Sequence, residues 1–291
     1  AFDPQLDSLY TVTVGEDHYA YTQMEPLAAR RAFPCFDEPR FKTPYDVTLT
    51  VAADNVAIAN TPSVEETVGE DGRKVVRSAT TRPMPSYLVA FAVGPFDVVE
   101  AEGGIPPNDV RAEPLPFRGI AVRGRGDELA YAMEHTPAIL EIAEEYLGSA
   151  YPFAKLDIIA VPDFESGAME NPGAVTFRDT LLLFDGDDAS VSTRRGFAFV
   201  MAHELAHMWF GNLVTMEWWD DLWLNEAVAT WMETLIIQAW DEDYEADVAL
   251  IEWGAWAMGV DSLPNARSIR NPITTPHDIH AAFDGITYSK G

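Results

Sequence analysis

Between Tyr45 and Val51 apolar residues alternate with polar ones: Tyr45, Val47, Leu49 and Val51 stand against Asp46, Thr48 and Thr50. A period of two places every second side chain on one face of an extended chain, so this stretch predicts a half-buried β-strand. Tyr87 to Val99 is another β-rich run, and strand-like patterning extends over Tyr10 to Val99 as a whole. A segment rich in proline and glycine, Gly103 to Gly119, then leads through Arg123-Gly124-Arg125-Gly126 to a different period. From about Asp127 the apolar residues Leu129, Met133, Leu140, Ile142 and Leu147 can share one helical face, with Gly148 as the terminator and Pro137 as a kink. A strand is predicted over Leu156 to Val161, followed by helices over about residues 193–210 and 221–240. This change of period predicts two domains, a β-domain over residues 1–120 and an α/β domain over residues 121–291, with no internal repeat.

Composition narrows the class. With 47% hydrophobic residues and eight tryptophans in 291 residues, the chain can bury one large core or two moderate ones. No run approaches the roughly eighteen apolar residues that span a bilayer, and no basic segment followed by an apolar one opens the sequence. Neither a membrane span nor a signal peptide is predicted, which favours the cytoplasm, although a sequence starting at Ala1 leaves room for an upstream segment. The single cysteine, Cys35, rules out an intrachain disulfide and a cysteine-built zinc cluster. The balance of 47 acidic against 19 basic residues gives a formal charge of −28, which repels phosphate and argues against a nucleic-acid partner. Oligomeric state leaves no trace in the sequence.

Any metal must therefore sit on histidine and carboxylate. His203-Glu204-Leu205-Ala206-His207 lies in the first of the two late helices, where four-residue spacing puts both imidazoles on one face. Glu226 follows His207 after eighteen intervening residues, inside the next helix. Two histidines and a glutamate form a typical open catalytic zinc site, and Glu204 would stand close enough to take a proton from water without binding the ion. His277 and His280 also have a metal-like spacing, but they sit in a proline-containing loop without further ligands nearby. Asp221 is a candidate for orienting a ligand histidine, as carboxylates often do. His18 and His135 read as incidental.

The run from His203 through Met216, continuing through Trp218-Trp219-Asp220-Asp221-Leu222-Trp223-Leu224-Asn225-Glu226, resembles the signature of the gluzincin aminopeptidases of the membrane alanyl aminopeptidase type. Gly167-Ala168-Met169-Glu170-Asn171 resembles that family's exopeptidase motif, Thr22 to Pro26 with Arg30 to Pro39 its N-terminal block, and Tyr288-Ser289-Lys290-Gly291 its tyrosine motif. Departures stand at Pro172, where tryptophan is usual, at Phe177 for a tyrosine, and at Ala227-Val228 for Gly-Phe. They leave the ligands and proton-transfer groups in place and bear on substrate preference.

The resemblance implies an α+β protein: an N-terminal β-sandwich-like domain followed by a thermolysin-like α/β catalytic domain. It implies one zinc ion per chain on His203, His207 and Glu226, Glu204 as general base, and Tyr288 as a neutral donor to the oxyanion. The free α-ammonium of a peptide substrate would meet Glu170, Glu25 and Gln23, with the backbone of Gly167, Ala168 and Met169 alongside. A relative that hydrolyses epoxides carries glutamine where Glu25 stands, and an idle scaffold would lack a ligand or the base. Because Tyr288 lies three residues before Gly291, and the sequence opens partway through the resembled β-domain, a fragment of a longer enzyme is expected. Such a fragment should hold zinc yet turn over slowly, its oxyanion donor loosened by a fraying chain end.

Overall fold

The structure, a computed structural model, describes residues 6–291. Its first part is β1 (Ser8–Val14), β2 (Asp17–Gln23), a single turn α1 (Ala29–Ala32), β3 (Thr48–Ala52), β4 (Val56–Ala59), β5 (Ser63–Val68), β6 (Arg73–Ser78) and β7 (Phe91–Gly94). These strands form two antiparallel sheets, in the orders β1-β2-β7-β4 and β3-β6-β5. The alternation at residues 45–51 has the expected phase, since Val51 is buried while Thr48 and Thr50 face solvent.

The second part contains β8 (Phe96–Glu100), β9 (Phe117–Val122), α2 (Ala130–Leu147), β10 (Leu156–Val161), β11 (Ala168–Met169), β12 (Ala174–Arg178), α3 (Asp179–Leu182), α4 (Val191–His207), α5 (Leu222–Trp240), α6 (Ala246–Asp261), α7 (Pro276–Ala282) and α8 (Gly285–Ser289). Its five-stranded sheet has the order β11-β12-β10-β9-β8, with β9, β10 and β12 parallel. Residue 120 therefore falls inside a strand of this sheet. The chain changes sheets at Pro95, between β7 and β8, because β8 hydrogen-bonds along β9 from Phe96↔Val122 to Glu100↔Arg118. A strand next to a glycine-rich stretch reads as the end of one domain, yet its hydrogen bonds belong to the next.

Both faces of the five-stranded sheet are covered, which is why β10 is apolar and buried at nearly every position. Ile158 and Ala160 face a core built with α2, α4 and α5. Ile159 and Val161 face the other way, into a core shared with Tyr10, Tyr21, Ile58 and Leu88 of the first part. The four-stranded sheet thus lies against the five-stranded one, and one continuous apolar layer joins the two parts.

Helix α2 ends as its sequence predicts, at Gly148 with φ +58°. Its buried face is centred on Ala132, Thr136, Ile139, Leu140, Ala143 and Glu144, with Met133, Ile142 and Leu147 at the margins. A glutamate on a core face needs partners. Glu144 has them: Arg111 Nε donates at 2.9 Å, Asn108 Nδ2 at 2.7 Å and the Tyr151 amide at 2.7 Å. Replacing Arg111 by methionine should leave this carboxylate buried and underpartnered, lowering stability by about 3–5 kcal/mol. Urea unfolding of Arg111→Met against the parent measures the loss, and a change under about 0.5 kcal/mol, the range of ordinary surface substitutions, would show that the pair contributes little.

Candidate metal centre and cleft

Helix α4 begins at Ser190, whose Oγ accepts the Thr193 amide at 3.0 Å, and packs along α5. Packing brings one turn of each helix together. His203 and His207 stand with their rings 4.6 Å apart and their Nε2 atoms 3.0 Å apart. Glu226 Oε2 lies 3.4 Å from His203 Nε2 and 3.5 Å from His207 Nε2. The other ring nitrogens are occupied: His203 Nδ1 donates to Glu233 Oε2 at 2.8 Å, and His207 Nδ1 donates to the Phe210 carbonyl at 3.0 Å. With Nδ1 donating, the Nε2 of each neutral imidazole would turn a lone pair toward the other ring and toward a carboxylate. Such a set is self-repulsive unless a cation sits among its atoms, so these residues fit a metal ion, with two imidazoles and one carboxylate as its donors.

The local charges agree. Burial alone would push both imidazoles down, but Glu226 and Glu233 at His203, and Glu170 and Glu226 at His207, outweigh it; His207 rises to about 9 and His203 rises as well. Burial would push Glu226 up, yet His207 and His203 hold it at about 2, a permanent anion. Glu204, 5% exposed, is pushed up to about 8 by burial against the pull of the two histidines, and one of its oxygens has no hydrogen-bond partner. It lines the same cleft as the triad, next to His203.

That cleft has a volume of about 1180 Å³. It is lined by all the sequence-identified site residues: Gln23, Glu25, Gly167, Ala168, Met169, Glu170, His203, Glu204, His207, Glu226 and Tyr288. Glu25 follows β2 directly, and its carboxylate, with those of Glu170 and Glu226, forms a group whose oxygens lie within 4.8 Å of one another. Burial, then the charges of Glu170, Glu226 and Glu204, raises Glu25 well above the usual carboxylate range. Gln23 Nε2 donates to Met169 Sδ at 3.3 Å, while its Oε1 is buried without a partner. Glu170 is held twice: Asn212 Nδ2 donates to its backbone carbonyl at 2.7 Å, and Asn225 Nδ2 to its Oε1 at 3.4 Å. Ala168 and Met169 form β11, the edge strand of the sheet. Gly167 needs no special backbone angle, and a Cβ there would meet only Leu181 Cδ1 at 3.9 Å.

Tyr288 sits on α8 with its ring 6.3 Å from that of His203, and burial with the surrounding glutamates keeps its hydroxyl protonated. Polar contacts tie this helix to the rest of the chain. Asp284 caps α8 by accepting the amides of Ile286 and Thr287 at 3.0 and 3.1 Å, and Arg267 donates to Asp284 at 2.5 and 2.9 Å and to Thr287 Oγ1 at 2.6 Å. Ile286 and Thr287 are 1% exposed, so the helix is tied by both polar and apolar contacts.

Asp221 does not orient a ligand: it accepts from Arg270 Nε at 2.7 Å on the surface. Glu233 has that part, and the signal for it was present, since seven residues separate it from Glu226 on one face of α5. His277 and His280 join neither group of three potential ligands found among the described residues, although His280 reaches the cleft. An apolar wall of Phe199, Trp253, Trp256 and Phe283, opposite in character to the carboxylates, also lines the cleft. Gly211 is required where it stands: with φ +123°, a Cβ would lie 2.1 Å from Asn225 Oδ1 and 3.3 Å from His207 Nδ1.

Residues 131–291 match the model of the peptidase family M1 domain, and residues 5–88 that of the peptidase M1 N-terminal domain. The chain belongs to peptidase family M1. Similar proteins include aminopeptidase M1-A of Oryza sativa subsp. japonica, 41% identical over 98% of this chain and 31% of its own length. Endoplasmic reticulum aminopeptidase 1 of Homo sapiens is 39% identical over 94% of this chain and 28% of its own length. Puromycin-sensitive aminopeptidase of Caenorhabditis elegans is 40% identical, again over 94% and 28%. The chain therefore spans under a third of the length of these M1 relatives. Among the described residues no helix is long and apolar enough to cross a membrane.

The contrast between Glu233 and Asp221 is directly measurable. Glu233→Ala frees the His203 ring and should weaken metal binding about 10- to 100-fold, as loss of a ligand-orienting carboxylate does. Asp221→Ala should leave it unchanged. Titration of each variant with a metal-binding dye as competitor reads both, and equal affinities for the two would remove Glu233 from the site.

Proposed function

We propose that this chain is the core of a zinc-dependent aminopeptidase, which hydrolyses the peptide bond after a free N-terminal residue. The observation that carries the reading is the second carboxylate group: Glu25 and Glu170 share the oxygen cluster of Glu226, a residue that also faces both histidines. Three carboxylates so close attract a second positive charge beside the metal, and a peptide's α-ammonium is a cation of the right size to hydrogen-bond them. Its position fixes the bond to be cut at one residue from the terminus. The names of the M1 relatives, aminopeptidases all three, agree with this.

His203, His207 and Glu226 would hold one zinc ion, which supplies Lewis acidity that polarises the scissile carbonyl and acidifies water. The remaining work belongs to this chain's own groups. Glu25 and Glu170, with Gln23 Oε1, bind the ammonium, and the free edge of β11 at Ala168 and Met169 offers backbone groups to an extended substrate. Glu204, buried beside the ligands with one oxygen free of partners, takes the proton of the attacking water and returns it to the leaving amine. Tyr288, held neutral, donates to the oxyanion. Glu25, where the epoxide-hydrolysing relative carries glutamine, favours this reading over epoxide hydrolysis.

Elemental analysis should find about one zinc per chain, lost in the double variant His203→Ala, His207→Ala; stoichiometric zinc in that variant would exclude these ligands. Glu204→Gln should keep its zinc while turnover of an aminoacyl reporter amide falls by roughly 10²–10⁴-fold. Activity near the parent's would place the base elsewhere. N-acetylation of the substrate removes its charge and should weaken it by about 2–5 kcal/mol in kcat/KM, as breaking a buried charge pair does. Comparable rates for blocked and free peptides would replace the exopeptidase with an endopeptidase.

A further inference from the structure

Lys42 lies outside the cleft, in the first part of the chain, and its ammonium reaches across to the second. Nζ donates to the carbonyls of Asn212 at 2.9 Å and Leu213 at 3.0 Å. Those two carbonyls belong to an unusual turn. Beyond the end of α4, the amides of Asn212, Leu213 and Val214 bond to the carbonyls of His207, Met208 and Trp209 at 3.1, 3.2 and 3.0 Å, each five residues back. This is the wide winding of a π-type turn, less favourable than the α-helix it continues. Carbonyls past a helix end lack helical partners and carry the negative end of its dipole, so a cation donating to two of them holds the turn in place.

The turn touches the site on both sides. Its Phe210 carbonyl accepts from the ring of His207, and its Asn212 side chain donates to the Glu170 carbonyl at 2.7 Å. Lys42 is fixed at its own end, because the neighbouring Thr43 exchanges two backbone bonds of 3.1 Å with Met84. Just upstream, the buried Asp37 accepts from Ser86 Oγ at 2.6 Å and from Arg30 Nε at 3.1 Å, clipping the whole segment down. A second arm comes from the same part of the chain: Asn60 Nδ2 donates to the Pro172 carbonyl at 3.0 Å, two residues beyond Glu170.

We propose that Lys42 is a positioning residue for the ammonium site: by pinning the 211–215 turn it sets Asn212, and through Asn212 the backbone of Glu170. With Asn60, it makes the first part of the chain grip the Glu170 segment at two points. The proposal rests on the aminopeptidase reading for its kinetic consequence, and on the hydrogen bonds alone for its structural one. It predicts that Lys42 acts on recognition of the free terminus, with proton transfer at Glu204 unaffected and zinc retained, because Phe210, whose carbonyl holds His207, precedes the pinned 211–215 turn.

The experiment compares the parent with Lys42→Met, Lys42→Arg and Asn212→Ala, using an aminoacyl reporter amide and its N-acetylated form as probes. Lys42→Met should retain zinc and lose about tenfold in kcat/KM on the free amide, mainly through KM, while hydrolysis of the acetylated form is unchanged. Lys42→Arg, still able to donate to both carbonyls, should recover most of the loss. Adding Lys42→Met to Asn212→Ala should cost little more, because the link is already broken. Amide exchange at Asn212, Leu213 and Val214 reads the latch without any catalysis and should accelerate in Lys42→Met but not in Lys42→Arg. Undiminished preference for the free amide in Lys42→Met, proportional loss on both substrates, multiplicative losses in the double variant, or unchanged exchange each overturns the proposal. A parent that does not distinguish the two substrates overturns the aminopeptidase reading instead, and the exchange arm still decides whether Lys42 holds the turn.

Discussion

Five carboxyl groups, those of Glu25, Glu170, Glu204, Glu226 and Glu233, crowd around two imidazoles in one cleft, most of them buried. So much negative charge in one place is unstable by itself, and the surrounding structure answers it in three ways. Glu204 and Glu25 are raised toward their protonated forms by burial, Glu226 and Glu233 are paired with histidines, and the Glu170 carboxylate accepts from Asn225 Nδ2. What is left over is an appetite for cations at two adjoining points. The helices α4 and α5, the edge strand β11 and the segment after β2 are arranged as that appetite requires.

Holding such a site needs a frame that does not give. Helices α4 and α5 are packed into a core whose other wall is the five-stranded sheet, so the triad inherits the rigidity of close-packed side chains. Charge buried elsewhere among the described residues is matched at Asp157, which is fully buried and bonded by Lys155 and by Arg118 of the neighbouring strand at 2.6 to 2.8 Å. The protein tolerates unbalanced charge in the cleft and nowhere else among these buried networks.

The metal triad was legible in the sequence because its residues obey helix periodicity: His203 and His207 are one turn apart, and their partner stands on the next helix. Strands such as Leu156–Val161 were legible for the same kind of reason, an uninterrupted apolar run of strand length. Glu233 was passed over in favour of Asp221 because the choice depends on which way an imidazole ring points, and spacing alone carries no ring orientation. The Phe210 carbonyl could not be named at all, since every residue has a carbonyl and only the fold decides which one meets His207. Glu144 sits on a face that periodicity assigns to apolar residues, and its partners lie more than thirty positions away at Arg111 and Asn108. The change of sheet at Pro95 was hidden because composition shifts some twenty residues later, in a loop that interrupts one sheet.

The apolar layer shared by the two parts of the chain has a consequence for how the cleft measures what enters it. Glu25 comes from one part and Glu226 from the other, and side chains such as Tyr21 and Ile159 pack in the apolar layer that joins those parts. Close packing transmits a change of even one methylene in that layer, so residues that any reading by burial would assign to stability alone also bear on how Glu25 stands toward Glu226.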